Sequence, residues 1–128
     1  MTVTIADIEH AATTIGADLI RAPTIHAPGL SREAGCEIYL KLESLQLTGS
    51  FKARGTRYRL GVIDPATTNG VIACSAGNHA QGVAYFAERM GIPATIVMPR
   101  ETPFAKITRT ERYGARVGAF VWYRPTPG

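Results

Sequence analysis

The chain has 128 residues, 45% of them hydrophobic and 19% charged, a balance that supports one compact core and excludes a disordered chain. Its formal net charge is +4, but the basic residues are dispersed from Arg21 to Arg124, with no finger spacing, aromatic strand motif or basic arm, which argues against a nucleic-acid partner. Cys36 and Cys74 stand apart without metal-ligand spacing, and no window is apolar for long enough to span a membrane, so the expectation is a cytoplasmic protein with reduced thiols and no membrane partner.

From Thr4 onward, Ile5, Ile8, Ala11, Ala12 and Ile15 recur at helical spacing, and Gly16 is a stop. The segment "RAPTIHAPGL" is punctuated by Pro23 and Pro28 and reads as an extended connection. "CEIYLKLES" alternates and is rich in β-formers, which predicts a strand from about Cys36 to Leu42. After Thr48-Gly49-Ser50 a helix is predicted from Phe51 to about Leu60. "GVIACS" reads as a short buried strand, and "NHAQGVAYFAERM" as a helix whose Ala80, Val83, Ala84, Ala87 and Met90 form one small apolar face ending at Gly91. "ATIVM" is a second buried strand closed by Pro99. "TPFAKITRTERY" is a helix with Thr102 as N-cap, Pro103 at the first position and Gly114 as C-cap, and "ARVGAFV" is a third strand. Strands alternating with helices of this length imply βαβ units, hence an α/β fold with an open parallel sheet whose ligand site lies at the carboxyl ends of the strands.

"CSAGNHAQG" sits where that rule points. Free amides at a helix start, with the Ser75 hydroxyl, make a pocket for a carboxylate or phosphate; a plain βα turn capped by Asn78 is the equally open alternative. Lys52 stands where another helix begins, facing the positive end of the helix dipole. Such a lysine is usually a solvated surface residue. It attacks carbonyls only as a neutral amine, however, and positive potential from a helix start and from neighbours such as Arg54 favours that form. His10 and His26 lack partners at metal spacing, His79 reads as orienting its loop, and Glu43 reads as structural, pairing with a basic neighbour.

Taken together, "KLESLQLTGSFKARG" and "SAGNHAQGVAYFA" resemble the pyridoxal-phosphate enzymes of the tryptophan synthase β-like group, and among them the threonine dehydratases. The resemblance runs from "IADIEHAA" through "RAPTIHAPGLS" to "ATIVMPRETPFAKITRTERYGARV". It implies that Lys52 carries pyridoxal 5'-phosphate as a Schiff base, that Phe51 lies against the cofactor ring, and that Asn78 bonds the ring's 3-hydroxyl oxygen. Ser75, Ala76, Gly77, Asn78 and His79 would hold the substrate carboxylate. The implied reaction removes water and ammonia from L-threonine or L-serine to give a 2-oxo acid, in a protein that is a homo-oligomer when complete. Related serine racemases carry a second serine where this chain has Ala76, so "SAGNH" favours elimination over a racemase-like reaction.

Members of that family are longer, and the glycine-rich phosphate loop and the partner of the pyridine nitrogen lie downstream of anything present here. Residues 1–48 are expected to be a segment of the family's larger domain, its apolar helix face left without a partner. Residues 49–128 are expected to be the small α/β domain, truncated, with an atypical tail after about Val117 where Trp122, Pro125 and Pro127 replace a helical pattern. A shifted or prematurely ended reading frame is the expectation for that tail, with a divergent linker or an artificially chosen chain end as the alternative. The chain alone is expected to be inactive, and a non-catalytic fragment that binds small anions or a partner chain is the alternative reading.

Overall fold

The computed structural model of the protein describes residues 2–120. Thr4 starts the chain's first helix through a reciprocal pair of bonds: its hydroxyl accepts from the Asp7 amide at 3.3 Å, while the Asp7 carboxylate accepts from the Thr4 amide at 2.8 Å. Helix α1 follows over Ile5–Ile15 and ends at Gly16. Ile15 is buried whereas Ile5 and Ile8 are exposed, so only the last turn of the apolar stripe reaches the core.

The segment "RAPTIHAPGL" is not extended throughout. Strand β1, Thr24–His26, leads into helix α2, Pro28–Ala34, which Gly35 closes in the left-handed conformation. Pro28 starts this helix instead of breaking it, because it occupies the first helical position, where a fixed φ and a missing N–H cost nothing. Strand β2, Tyr39–Lys41, is shorter than the predicted Cys36 to Leu42, because Pro28 turns its antiparallel partner β1 into α2 directly after His26 and Ala27.

A single tight turn, Glu43–Leu45, and the left-handed Gly49 carry the chain into helix α3, Lys52–Leu60. Two βαβ units complete the fold: strand β3 (Val71–Cys74), helix α4 (Asn78–Arg89), strand β4 (Ala94–Pro99), helix α5 (Phe104–Glu111) and strand β5 (Arg116–Phe120). The three strands form a parallel sheet in the order β3-β4-β5, with Ile72 opposite Thr95 and Ile96 opposite Val117. The protein is thus an α/β structure with an open parallel sheet.

Helix α4 is the floor of the core. Ala80, Ala84 and Ala87 are small enough to let it lie against β4, whose Ala94, Ile96 and Met98 alternate inward, and Phe86 fills the remaining space. The strand predicted as buried at Val71–Cys74 is only half so: Val71 and Ala73 pack on the core, whereas Ile72 is 79% exposed. Val71 and Ala73 share the face of β3 that packs on the core, and Ile72, one residue out of phase with them, points to the other face. Thr102 does not cap α5. The helix starts at Phe104 with Pro103 at the cap position, and the Thr102 hydroxyl is buried without a partner. Gly114 takes the left-handed turn two residues after the helix cap at Arg112. Strand β5 runs to Phe120, and Trp122, Pro125 and Pro127, on which the expectation of an atypical tail rested, lie outside the described residues.

Candidate active site

Helix α3 places Ala53, Thr56 and Leu60 on one buried stripe at positions i, i+3 and i+7. Lys52 and Phe51 come immediately before that stripe, so both are exposed, and the Lys52 amine lies 5.0 Å from the centre of the Phe51 ring. The preceding turn holds two buried hydroxyls, on Thr48 and Ser50, with no hydrogen-bond partner. Unpaired buried hydroxyls are costly, and among the described residues these two are left able to donate or accept.

The second half of the site is the turn between β3 and α4. Ser75 is fixed by its amide, which donates to the Val97 carbonyl at 3.1 Å, continuing the β3–β4 ladder. The Ser75 hydroxyl accepts from the Gly77 amide at 3.2 Å. That bond corrects the simple reading of the loop as a row of free donors: the Gly77 amide is occupied, while the Ser75 O–H keeps its own proton to donate. Asn78 is the first residue of α4, with Gly77 at the cap position and no side-chain cap, so the capped-turn alternative does not hold. The amides of Asn78, His79 and Ala80 have no partner within the helix, and the macrodipole makes that end attractive to an anion. Ala76 is half-buried between Ser75 and Gly77, presenting only a methyl group.

The two halves meet through backbone. Gly82 of α4 faces α3 so closely that a β-carbon there would stand 2.7 Å from the Thr56 hydroxyl and 3.6 Å from the Lys52 carbonyl oxygen. Gly82 is four residues beyond Asn78, about 6 Å of helix rise, so Lys52 starts its helix roughly one turn away from the amides of the loop.

Arg54 is not the free cation beside Lys52 that the sequence suggests. Its guanidinium forks the Glu43 carboxylate, with Nε–Oε2 at 2.9 Å and a second N–Oε1 contact at 2.7 Å. The bonded guanidinium holds the Glu43 carboxyl below the ordinary glutamate range, and the same bond raises Arg54. The expectation that Glu43 pairs structurally with a basic neighbour is therefore met. Gln46 was missed by the sequence reading: its buried amide both accepts from the Ile20 amide at 3.0 Å and donates to the Ile20 carbonyl at 2.8 Å, tying residues 20 and 46 together. No local signal announces a pairing over that separation. His10 stacks edge-on to Tyr58 and His26 lies 3.3 Å from Glu37, while His79 is exposed and borders a hollow of about 220 Å³ shared with Thr56, Arg59 and Val83. Among the described residues no group of acids, histidines and cysteines could hold a metal ion.

An exposed lysine at one helix start, packed one turn from the unpaired amides of another, defines an α/β protein suited to a small ligand that carries both a carbonyl and a negative charge. Residues 17–123 match the pyridoxal-phosphate dependent enzyme family, and the chain belongs to that family. It is 48% identical over 116 residues to an L-threonine ammonia-lyase of Thermotoga maritima, covering 90% of this chain and 29% of the relative. It superposes on the crystal structure of a T.th. threonine deaminase with a TM-score of 0.81 at 38% identity, covering 91% of this chain and 37% of that one. A maize serine racemase gives a TM-score of 0.87 at 31% identity, covering 96% of this chain and 38% of that one. The chain spans about a third of the length of these relatives.

Proposed function

We propose that the chain is the N-terminal part of a pyridoxal-phosphate-dependent dehydratase that converts L-threonine to 2-oxobutanoate and ammonia, and L-serine to pyruvate and ammonia. The observation that carries this reading is the 48% identity to an L-threonine ammonia-lyase along nine-tenths of the chain. The residues present fit the cofactor. Lys52 is accessible for covalent attachment, Phe51 is exposed beside it to lie along a planar ring, and the Asn78 side chain makes no hydrogen bond among the described residues. When bound, the cofactor supplies an electron sink for the pair released at the substrate α-carbon.

The chain's own residues supply the rest. The Ser75 hydroxyl and the unpaired amides of Asn78 and His79 hold the substrate carboxylate, with Ala76 and Gly77 shaping the turn that presents them. The Lys52 amine takes the α-proton; loss of the β-hydroxyl as water and hydrolytic release of ammonia then give the 2-oxo acid. Residues 1–48 read as part of a larger domain, which is supported by their separate two-stranded sheet. The complete protein reads as a cytoplasmic homo-oligomer.

Serine racemisation is the second reading, favoured by the fit to the maize racemase. A shared fold does not decide reaction type, which is set by groups in the site. At the position where the resemblance places the racemases' second serine, Ala76 offers a methyl and no proton. The test of the proposal is reductive trapping: pyridoxal phosphate and borohydride are added to the chain, and the label is mapped by peptide mass. Label concentrated on Lys52 supports the reading; label absent from Lys52, or equal on Lys41 and Lys106, rejects it.

A further inference from the structure

We propose that Gly82 and Thr56 act together as positioning residues for Lys52, setting how far the reactive amine stands from the anion-holding turn. The inference rests on the reading of Lys52 as the cofactor lysine and adds to it two residues that touch neither cofactor nor substrate. Thr56 is buried, and its hydroxyl donates to the Lys52 carbonyl at 2.8 Å, fastening the first turn of α3 from within. Gly82 is buried opposite that bond, on the helix that carries the turn.

The geometry leaves no room for anything but glycine at position 82. An added β-carbon would meet the Thr56 hydroxyl at 2.7 Å and the Thr56 β-carbon at 3.3 Å. Two ways out exist, and both reach Lys52. Either Thr56 rotates about χ1, which breaks its bond to the Lys52 carbonyl while its β-carbon stays crowded, or α3 moves away from α4 and carries Lys52 with it. Close-packed interiors transmit such shifts rather than absorbing them, and misplacing a reacting group by about 1 Å costs up to about a hundredfold in rate. The glycine therefore serves as a distance gauge between two helix starts. Backbone freedom is not what it supplies, because it lies inside α4 and its φ is not left-handed.

The experiment is competitive trapping within one chain. The protein has three lysines, Lys41, Lys52 and Lys106, so the ratio of reductive pyridoxal-phosphate label on Lys52 to that on Lys106 reports placement, while Lys106 itself reports general amine reactivity. Gly82→Ala should lower the ratio about tenfold. Thr56→Val keeps the shape and removes the hydrogen bond, and should lower it about threefold. Thr56→Ser should leave it unchanged. The pair Gly82→Ala with Thr56→Ala removes the hydroxyl at 2.7 Å but keeps the β-carbon at 3.3 Å and lacks the bond to the Lys52 carbonyl, so it should recover the ratio only from about tenfold to about threefold below the unsubstituted chain.

Circular dichroism and melting temperature accompany each measurement, because a purely structural role would lower stability without moving the ratio. If Gly82→Ala fails to fold, Thr56→Val carries the test. A ratio retained in Thr56→Val overturns the positioning role while leaving Lys52 in place. An even spread of label in the unsubstituted chain overturns the proposal at its root, and is recognised because it needs no variant.

Discussion

Arg54 and Glu43 are locked by two parallel hydrogen bonds, and the pair clips the start of α3 to the turn that follows β2. Arg54 lies two residues beyond Lys52, so the clip anchors the turn from which the lysine projects. Glu43→Gln should destabilise the fold by about 1–2 kcal/mol, more than an exposed ion pair because the carboxylate is largely shielded and its partner would be left unmatched. The pH dependence follows from the lowered carboxyl of Glu43. A group depressed in the folded state stabilises above its unfolded value, and that contribution disappears as pH falls through the folded one. Acid melting curves should show the wild-type chain losing this increment below the ordinary glutamate range, and Glu43→Gln should lack that part of the loss while keeping the part that comes from Asp7, whose carboxyl is lowered by its bonds from Thr4.

Phe86 is 2% exposed and meets the ring of Tyr85 edge to face at 5.0 Å. Phe86→Ala should cost about 3–5 kcal/mol, a large part of the stability of a domain this size. Denaturant titration followed by circular dichroism measures it. A loss below about 1 kcal/mol would show that the core is not centred on α4.

Ala76 predicts reaction type. A chimera joining residues 1–120 of this chain to the remainder of the Thermotoga maritima lyase should make far more pyruvate than D-serine from L-serine. Ala76→Ser adds a hydroxyl beside Ser75 and should raise the proportion of D-serine about tenfold. Chiral chromatography of the unreacted amino acid decides, and rapid D-serine formation by the unsubstituted chimera would favour the racemase reading.

The chain by itself should neither turn over threonine nor hold the cofactor firmly. A phosphate dianion needs several fixed N–H donors, and catalysis draws most of its power from groups already arranged in this way. The described residues present one such set, at the start of α4. Half-saturation with pyridoxal phosphate should need about 1 mM or more, read from imine absorbance. Micromolar binding would mean that this third of the family's length already contains a phosphate cup.

The βαβ units were legible because their strands are short apolar runs and their helices keep a 3.6-residue period, so "GVIACS", "ATIVM" and "ARVGAFV" announced the sheet. The two motif halves were legible for the same reason, each lying at the junction of a turn with a helix start. What stayed hidden depends on partners distant in the chain. The sequence leaves open which basic neighbour Glu43 pairs with, and nothing in "NHAQG" shows that Gly82 will meet Thr56. The exposure of Ile72 was hidden too, since a run of apolar residues looks alike whether one face of the sheet is covered or both. Helix α2 was lost because proline carries opposite meanings inside a helix and at its first position.

Among the described residues, strands β1 and β2 pair only with each other, and all six of their residues are exposed. A two-stranded ribbon with so little apolar cover is marginal on its own, so its amides should exchange with solvent long before those of β4, through a local opening that leaves the α4 core closed. Glu43 sits two residues past the end of that ribbon. Each opening therefore gives the carboxylate a chance to slip from Arg54, and the first turn of α3 inherits the lifetime of this exposed ribbon rather than that of the core.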